Sequence, residues 1–413
     1  MKLKTKIAID QFIGLPIVYG LNALARILGF ILRIDHSLEK PIKTIAVCKF
    51  IGLGSIIQAT PLLQTLRKNY PEARIVFITN LSNKALLSNI TEVDEVVTIS
   101  DNGFGVLMKS TLSTLVKLWK NKPDIYIDLE IYSNYSSMVA TLSLSKNRMG
   151  FYKNDKMYRK GMYTHMMFFN MKAPISQTYL QFARLLGCKN IITELAIRTD
   201  KNSSNTIKGI NQKLNIVLQK YIVLNPNASD LRVERRWSSE NFVALIEKIN
   251  EEFPNYIIIL IGAENEKKYV NGIISNLNIK KNVIDSSGKL NMQELIVLIA
   301  NASLIITNDT GPMHIAFALK TKTLALFGPC TPQQYGGLEN TISIYKNVYC
   351  SPCVHEFMKP PCNGDNQCMK KIKLQEVLDG VRVQLSSNLI FRDQQQVDID
   401  YTGKNEPLGI IVR

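Results

Sequence analysis

The chain has 413 residues, 46% of them hydrophobic and 20% charged, which excludes a disordered or collagen-like polymer and provides for two domains with cores of their own. Fifty lysines and arginines stand against 34 acidic residues, a formal net charge of +16. The excess favours anionic partners. The basic residues are scattered, with no zinc-finger pattern and no RNA-binding signature, so the expectation is phosphorylated substrates or anionic lipid and no nucleic acid. Seven cysteines, an odd number in a long chain, suit a reducing cytosol better than a disulfide scaffold.

Residues 1–42 form an apolar N-terminal segment, with Phe12 to Ile34 reading FIGLPIVYGLNALARILGFILRI. No small-x-small cleavage site follows it, so it is not a removable secretory signal. It is just long enough to reach across a bilayer, but Pro16, Asn22 and Arg26 interrupt it. Lys2, Lys4 and Lys6 precede it and Arg33 closes it, so its flanks set no orientation. A monotopic or re-entrant anchor on the cytoplasmic leaflet of the membrane is the expectation, with a helix packed on the soluble body or a single span as alternatives.

From residue 43 to residue 200, short apolar runs alternate with amphipathic stretches. Strands are expected at Ile45–Cys48, Ile75–Ile78, Glu95–Ile99 and Asp124–Leu129. Ile56, Ala59, Leu63 and Leu66 recur at helical spacing between the first two, and Pro61 marks a kink or restart there. Residues 201–214 turn polar and read as a linker. A second series over 215–385 has strands at Tyr221–Leu224, Ile257–Ile261, Val283–Asp285, Leu304–Thr307 and Thr323–Phe327, and residues 386–413 read as a tail. The alternation predicts α/β units with parallel sheets covered on both faces.

Three loops carry chemistry. In Asn308-Asp309-Thr310-Gly311-Pro312-Met313-His314, a strand turns tightly into a helix. Pro312 suits the first helical position, Gly311 permits close backbone approach, and the unpaired N–H groups and dipole of the helix start attract an anion. The plainer alternative is a helix capped by Asp309 or Thr310. Ser229 and Arg235, following Asn225-Pro226-Asn227-Ala228, are positioned in the chain to bind the same diphosphate, the guanidinium fork matching phosphate oxygens. Gly52-Leu53-Gly54-Ser55 opens the first helix, but is neither a Walker loop nor a dinucleotide fingerprint.

Taken in order, GLGSIIQATPLLQTLRKNYPEARI (52–75), NPNASDLRVERRWSSENF (225–242), NDTGPMHIAFAL (308–319) and LFGPCTP (326–332) resemble glycosyltransferase family 9, the heptosyltransferases of lipopolysaccharide core synthesis. The resemblance implies a GT-B fold, in which two Rossmann-like parallel-sheet domains face a cleft. It implies an inverting transfer without metal or other cofactor, from a nucleoside diphosphate sugar such as an ADP-heptose-like donor to a lipopolysaccharide-core or lipid-linked acceptor. Ser229, Arg235, Thr310, Gly311 and His314 match the donor diphosphate positions, with Asp309 and Pro312 beside them; Gly52 and Gly54 lie on the acceptor side. Gly262, Glu264, Asp285 and Gly288 fall on loops expected to face the nucleoside.

Such a transfer needs a base for the acceptor hydroxyl and charge to stabilise the departing diphosphate. Arg235 and the helix start supply the second. The family has an aspartate where this chain has Ser55, and a serine hydroxyl is no general base near neutral pH. Glu130, just past the strand 124–129, becomes the expected base, with capping of the following helix as its alternative role. A nucleotide-sugar epimerase or hydrolase and a non-catalytic nucleotide-sugar-binding protein are the competing readings, and Ser55 is the best support for the latter. Cys350, Cys353, Cys362 and Cys368, with His355 among them, are spaced so that they either hold a metal or shape a loop as reduced thiols. Arg159, Lys160 and His165 read as contacts to an anionic acceptor or as structural residues.

Overall fold

The computed structural model describes residues 5, 8–131, 133–152, 154–200, 202–228, 232–336, 339–354, 356–357 and 360–386. They divide into two compact units, the first ending at Leu195 and the second beginning at Ala196.

The first unit holds a six-stranded parallel sheet: β1 (Thr44–Cys48), β2 (Arg74–Asn80), β3 (Glu95–Ile99), β4 (Ile125–Asp128), β5 (Asn147–Tyr152) and β6 (His165–Phe168), in the order β3-β2-β1-β4-β5-β6. The second repeats that order with β7 (Tyr221–Asn225), β8 (Ile257–Leu260), β9 (Val283–Asp285), β10 (Leu304–Asn308), β11 (Thr323–Phe327) and β12 (Thr341–Tyr345), arranged β12-β11-β10-β7-β8-β9. Each is the doubly wound Rossmann order, with a switch point between its first and fourth strands. The central strands are apolar throughout because helices cover both faces: Ile45 to Cys48 and Ile222 to Leu224 are wholly buried.

Strands β5, β6 and β12 were not foreseen. Gly150 sits in β5 because the Tyr163 ring lies against the strand, 2.6 Å from where a Cβ would be, and β6 and β12 are edge strands. Pro61 does restart the helix: Leu53–Gln58 ends and Thr60–Asn69 begins with the proline in its first turn. Within the stretch read as linker, Ser204–Leu214 is a helix, capped by Ser203 and burying Ile210 and Leu214.

Helical residues Asp10–Leu32 lie on the first unit. The Asp10 carboxylate accepts the N–H groups of Asn134 (3.0 Å) and Tyr135 (2.7 Å), satisfying the open start of the helix Asn134–Leu142. Asn22 Nδ2 donates to the Tyr158 carbonyl, and the rings of Tyr19 and Tyr158 stand 5.3 Å apart. Val18 is buried in the same hydrophobic cluster as Leu115, Leu118, Val139 and Tyr163. Gly161 permits this docking, since a Cβ there would sit 1.4 Å from Asn22 Oδ1. Gly161→Ala is therefore expected to release the helix and lower stability by roughly 1–3 kcal/mol. Trypsin would then cut faster at Arg26 and Arg33; unchanged cleavage would contradict the docking.

Candidate functional site

In the second unit the loops leaving β7 and β10 flank the switch point, where doubly wound sheets open a crevice at their strand ends. Asn308, the last residue of β10, joins them. Its Nδ2 donates to the carbonyls of Pro226 (2.9 Å) and Asn227 (3.2 Å), and its Oδ1 accepts the Trp237 N–H (3.2 Å). Asn225 Nδ2 donates to Thr307 Oγ1 (2.9 Å) and Thr310 Oγ1 (2.7 Å), while Asn227 Nδ2 reaches the Ile261 carbonyl at the end of β8. Trp237 is fully buried and donates its indole N–H to Ile372, which anchors the arginine-bearing loop to the core.

Thr310 is the N-cap of the helix Gly311–Leu319, in extended backbone, and Pro312 lies in the first turn. Among the described residues no side chain caps this start, because the Thr310 hydroxyl is engaged by Asn225 and by the Asn308 carbonyl. The capping alternative raised from the sequence is therefore not what forms here. Arg235 lies beside the turn: Nη1 donates to the Asp309 carbonyl at 3.2 Å, and Nε is 3.6 Å from the carboxylate. Burial disfavours the Arg235 charge, but the Asp309 carboxylate outweighs it and holds the guanidinium firmly protonated. His314, one turn into the helix, has Nε2 3.9 Å from Asp309 Oδ1. Burial pushes its pKa down to about 4, against the pull of Asp309, so the ring is neutral at pH 7. Ser229 lies outside the described residues.

The loops after β8 and β9 meet. The Gly288 N–H donates to the Gly262 carbonyl at 2.9 Å, and Gly288 adopts φ +70°, where a Cβ would lie 2.0 Å from Glu264 Oε2. Asp285 Oδ1 accepts from the Ser287 N–H and hydroxyl. Glu264 is exposed and faces Lys267 at 3.8 Å.

In the first unit, the loops after β1 and β4 flank the corresponding switch point. Glu130 Oε1 accepts the N–H groups of Phe50 (2.8 Å) and Ile51 (2.9 Å), and Oε2 accepts from Lys49 Nζ at 2.8 Å. It caps no helix; the helix Asn134–Leu142 is capped by Ser133 and held by Asp10. Burial opposes the Lys49 charge, but the adjacent Glu130 carboxylate keeps the ammonium form favoured. Gly52 opens the helix Leu53–Gln58 at φ +93°, a conformation suited to glycine, and Gly54 is buried within that helix. Ser55 points its hydroxyl to the buried Tyr179 phenol.

Arg159 is buried and not an acceptor contact. It donates to Ser137 Oγ (2.7 Å), the carbonyls of Ile131 (2.5 Å) and Glu130 (3.1 Å) and the Tyr163 hydroxyl (2.7 Å), and lies 3.4 Å from Asp128. Burial raises the Asp128 pKa, against Arg159 and Tyr163. His165 is also buried in β6, its pKa pushed down to about 4.

The cysteine-rich segment packs under the turn after β11. The N–H groups of Cys353 and Val354 both donate to the Pro329 carbonyl, and the Ser351 hydroxyl to that of Gly328. The segment accepts Arg232 on its Val354 and Phe357 carbonyls. Burial, followed by the neighbouring thiols, raises Cys353, and burial pushes Cys368 up to about 11, so these two groups are thiols at neutral pH. Cys350, Cys353, Cys362 and Cys368 are free, and among the described residues no group of three or more His, Cys, Asp or Glu is arranged to hold a metal ion. His355 lies outside those residues.

The His314 environment predicts a pH dependence. Its folded pKa is below the ordinary 6.5, so the unfolded chain takes up the proton first. The stability present above about pH 6.5 is lost as pH falls towards 4, by up to about 1.4 kcal/mol per pH unit. Urea unfolding of the His314→Gln variant should show a shallower loss over that interval; an unchanged slope would remove His314 as its source.

A family model described as glycosyltransferase family 9 (heptosyltransferase) matches residues 117–362. Lipopolysaccharide heptosyltransferase 1 of Campylobacter coli is 27% identical over 315 residues, 72% of this chain and 87% of that protein. The solved family 9 glycosyltransferase of Veillonella parvula superposes with a TM-score of 0.69 at 20% identity, covering 85% of this chain and 99% of that one. For the Escherichia coli ADP-heptose lipopolysaccharide heptosyltransferase II the values are 0.67 and 19%, over 83% and 98%. These likenesses establish the GT-B fold expected from the sequence, and the extent of the family match shows that the chain belongs to glycosyltransferase family 9, the heptosyltransferases.

Proposed function

We propose that the protein transfers heptose, or a closely similar sugar, from an ADP-linked donor to a lipopolysaccharide-core or lipid-linked glycan, inverting the anomeric centre without a metal. The observation that carries this reading is the uncapped start of the helix Gly311–Leu319, with Arg235 held beside it by Asp309. Backbone N–H groups, a helix dipole and a permanent cation converge there, which suits the two charges of a nucleoside diphosphate leaving group. Ser229 completes the set in this reading, and Gly262, Glu264, Asp285 and Gly288 line the nucleoside side.

The acceptor oxygen attacks C1 of the sugar as the bond from C1 to the diphosphate oxygen breaks. The hydroxyl proton passes to a base, and the diphosphate leaves with the bonding electron pair. Arg235 and the Thr310–Pro312 turn stabilise that charge without consuming a proton. His314, neutral at pH 7, packs beneath the turn and adds no charge to the Arg235–Asp309 pair. Glu130 is the base in this reading. Its carboxylate accepts from Lys49 and two amides, which leaves one lone pair, on Oε2, to accept the acceptor hydroxyl. Cytoplasmic action at the inner membrane face fits a nucleotide donor and the exposed apolar side of residues 10–32.

A thermal-shift panel of ADP-, UDP-, GDP- and dTDP-sugars tests the donor half. ADP-heptose at about a hundred times its Kd should add about 2.7 kcal/mol of stability, and Arg235→Lys should weaken that binding by roughly tenfold or more, because the fork geometry is lost. Preference for another nucleotide would overturn the ADP assignment. Product analysis then separates transfer from epimerisation, hydrolysis or binding alone.

Glu130→Gln tests the base. A direct proton acceptor predicts a fall in kcat of roughly 10²–10⁴ at unchanged donor affinity. A lower melting temperature with near-normal kcat would make Glu130 only the holder of the first loop.

A further inference from the structure

We propose that the first unit binds an anionic lipid bilayer through a face of two helical segments lying in the plane of the interface, Asp10–Leu32 and Phe104–Asn121. This rests on the cytoplasmic, membrane-facing part of the reading above and adds to it a second helix, an orientation and a lipid class.

Both segments belong to one side of the sheet. Val18 shares a buried cluster with Leu115 and Leu118, and the helix Asn134–Leu142 lies between them, touching each. Thr111 and Tyr135 join their hydroxyls across one seam, and the Trp119 indole N–H donates to the Leu142 carbonyl at 2.7 Å. On the other seam Asp10 is bonded to the amides of Asn134 and Tyr135. From Asp10 to Asn22 the segment is thus fixed to the protein, and the exposed turns that follow continue the same helix.

What these segments turn outward is apolar. Phe12 and Phe30 are each 80% exposed, and Ile17, Leu24, Ile27 and Ile31 follow them along one segment. On the other, Phe104, Met108 and Leu112 are more than half exposed, and Leu144, beyond the intervening helix, is 74% exposed. An apolar area of this extent on a folded protein marks an interaction surface.

The charges identify the occupant. Residues 10–32, 104–121 and 134–142 contain Arg26, Lys109, Lys117 and Lys120, all exposed, and a single acid, Asp10, whose carboxylate is committed to the amides described above. Exposed apolar side chains interleaved with cations, with no free carboxylate, match the acyl boundary and headgroups of an anionic leaflet. A second copy of this chain would bring the same positive charges face to face.

The test uses the full chain without donor or acceptor, so it is independent of transfer activity. Trp119 is partly exposed while Trp237, the other tryptophan, is fully buried, so indole emission reports on this face. Phosphatidylcholine vesicles containing phosphatidylglycerol should shift the emission to the blue, and brominated acyl chains should quench it; Trp119→Phe should abolish both responses. Met108→Glu with Leu112→Glu, at exposed positions outside the core, should weaken vesicle binding about tenfold or more while leaving the melting temperature unchanged. Raised salt should weaken it as well. Wild-type affinity in that double variant would overturn the role of the second helix. Equal binding to pure phosphatidylcholine would overturn the lipid class, and a stable dimer that fails to bind vesicles would overturn the proposal.

Discussion

The side chain of Asn308 satisfies three backbone groups that the sheet itself cannot reach. Two are carbonyls in the loop after β7, and the third is the N–H of Trp237 at the start of the helical layer. Because the strand order reverses between β7 and β10, the two loops run apart, and their polar groups have no ladder partner. One amide with two donors and an acceptor closes that gap. Arg235 stands two residues before Trp237, so the same bond places the guanidinium beside the helix start. The candidate site thus depends on bonds made wholly within the protein.

The first unit solves the same topological problem with charge. Glu130 gathers two amides of the loop after β1 and the Lys49 ammonium, all at hydrogen-bond distance. Below it Asp128, Arg159 and Tyr163 form a second buried network. A buried pair of this kind contributes little net stability against an apolar substitute, but losing one member leaves an uncompensated charge at a cost of about 3–5 kcal/mol. Its value lies in fixing one loop conformation.

The central strands were legible because they are covered on both faces and read as unbroken apolar runs. Edge strand β12 lacks that signal, since it is only half-buried along its length. The tight turn from β10 into the next helix was legible because Gly311 and Pro312 constrain the backbone locally. Asn308 and Glu130 took their roles from partners some 71 to 82 residues away in the chain, a distance at which no local pattern records the pairing. The N-terminal segment was ambiguous for a related reason: its apolar length is local information, but Asp10, Asn22 and Gly161 decide that it docks.

The two sheets share one strand order and assemble their switch-point loops independently, one with amides and one with an ion pair. Each loop pair can therefore drift without dismantling the other. Ser55 belongs to the first unit and makes no part of the Asn308 frame, so a change at that position leaves the Asn308 bonds untouched. In a chain built this way, the shape of each loop pair is a separately heritable trait.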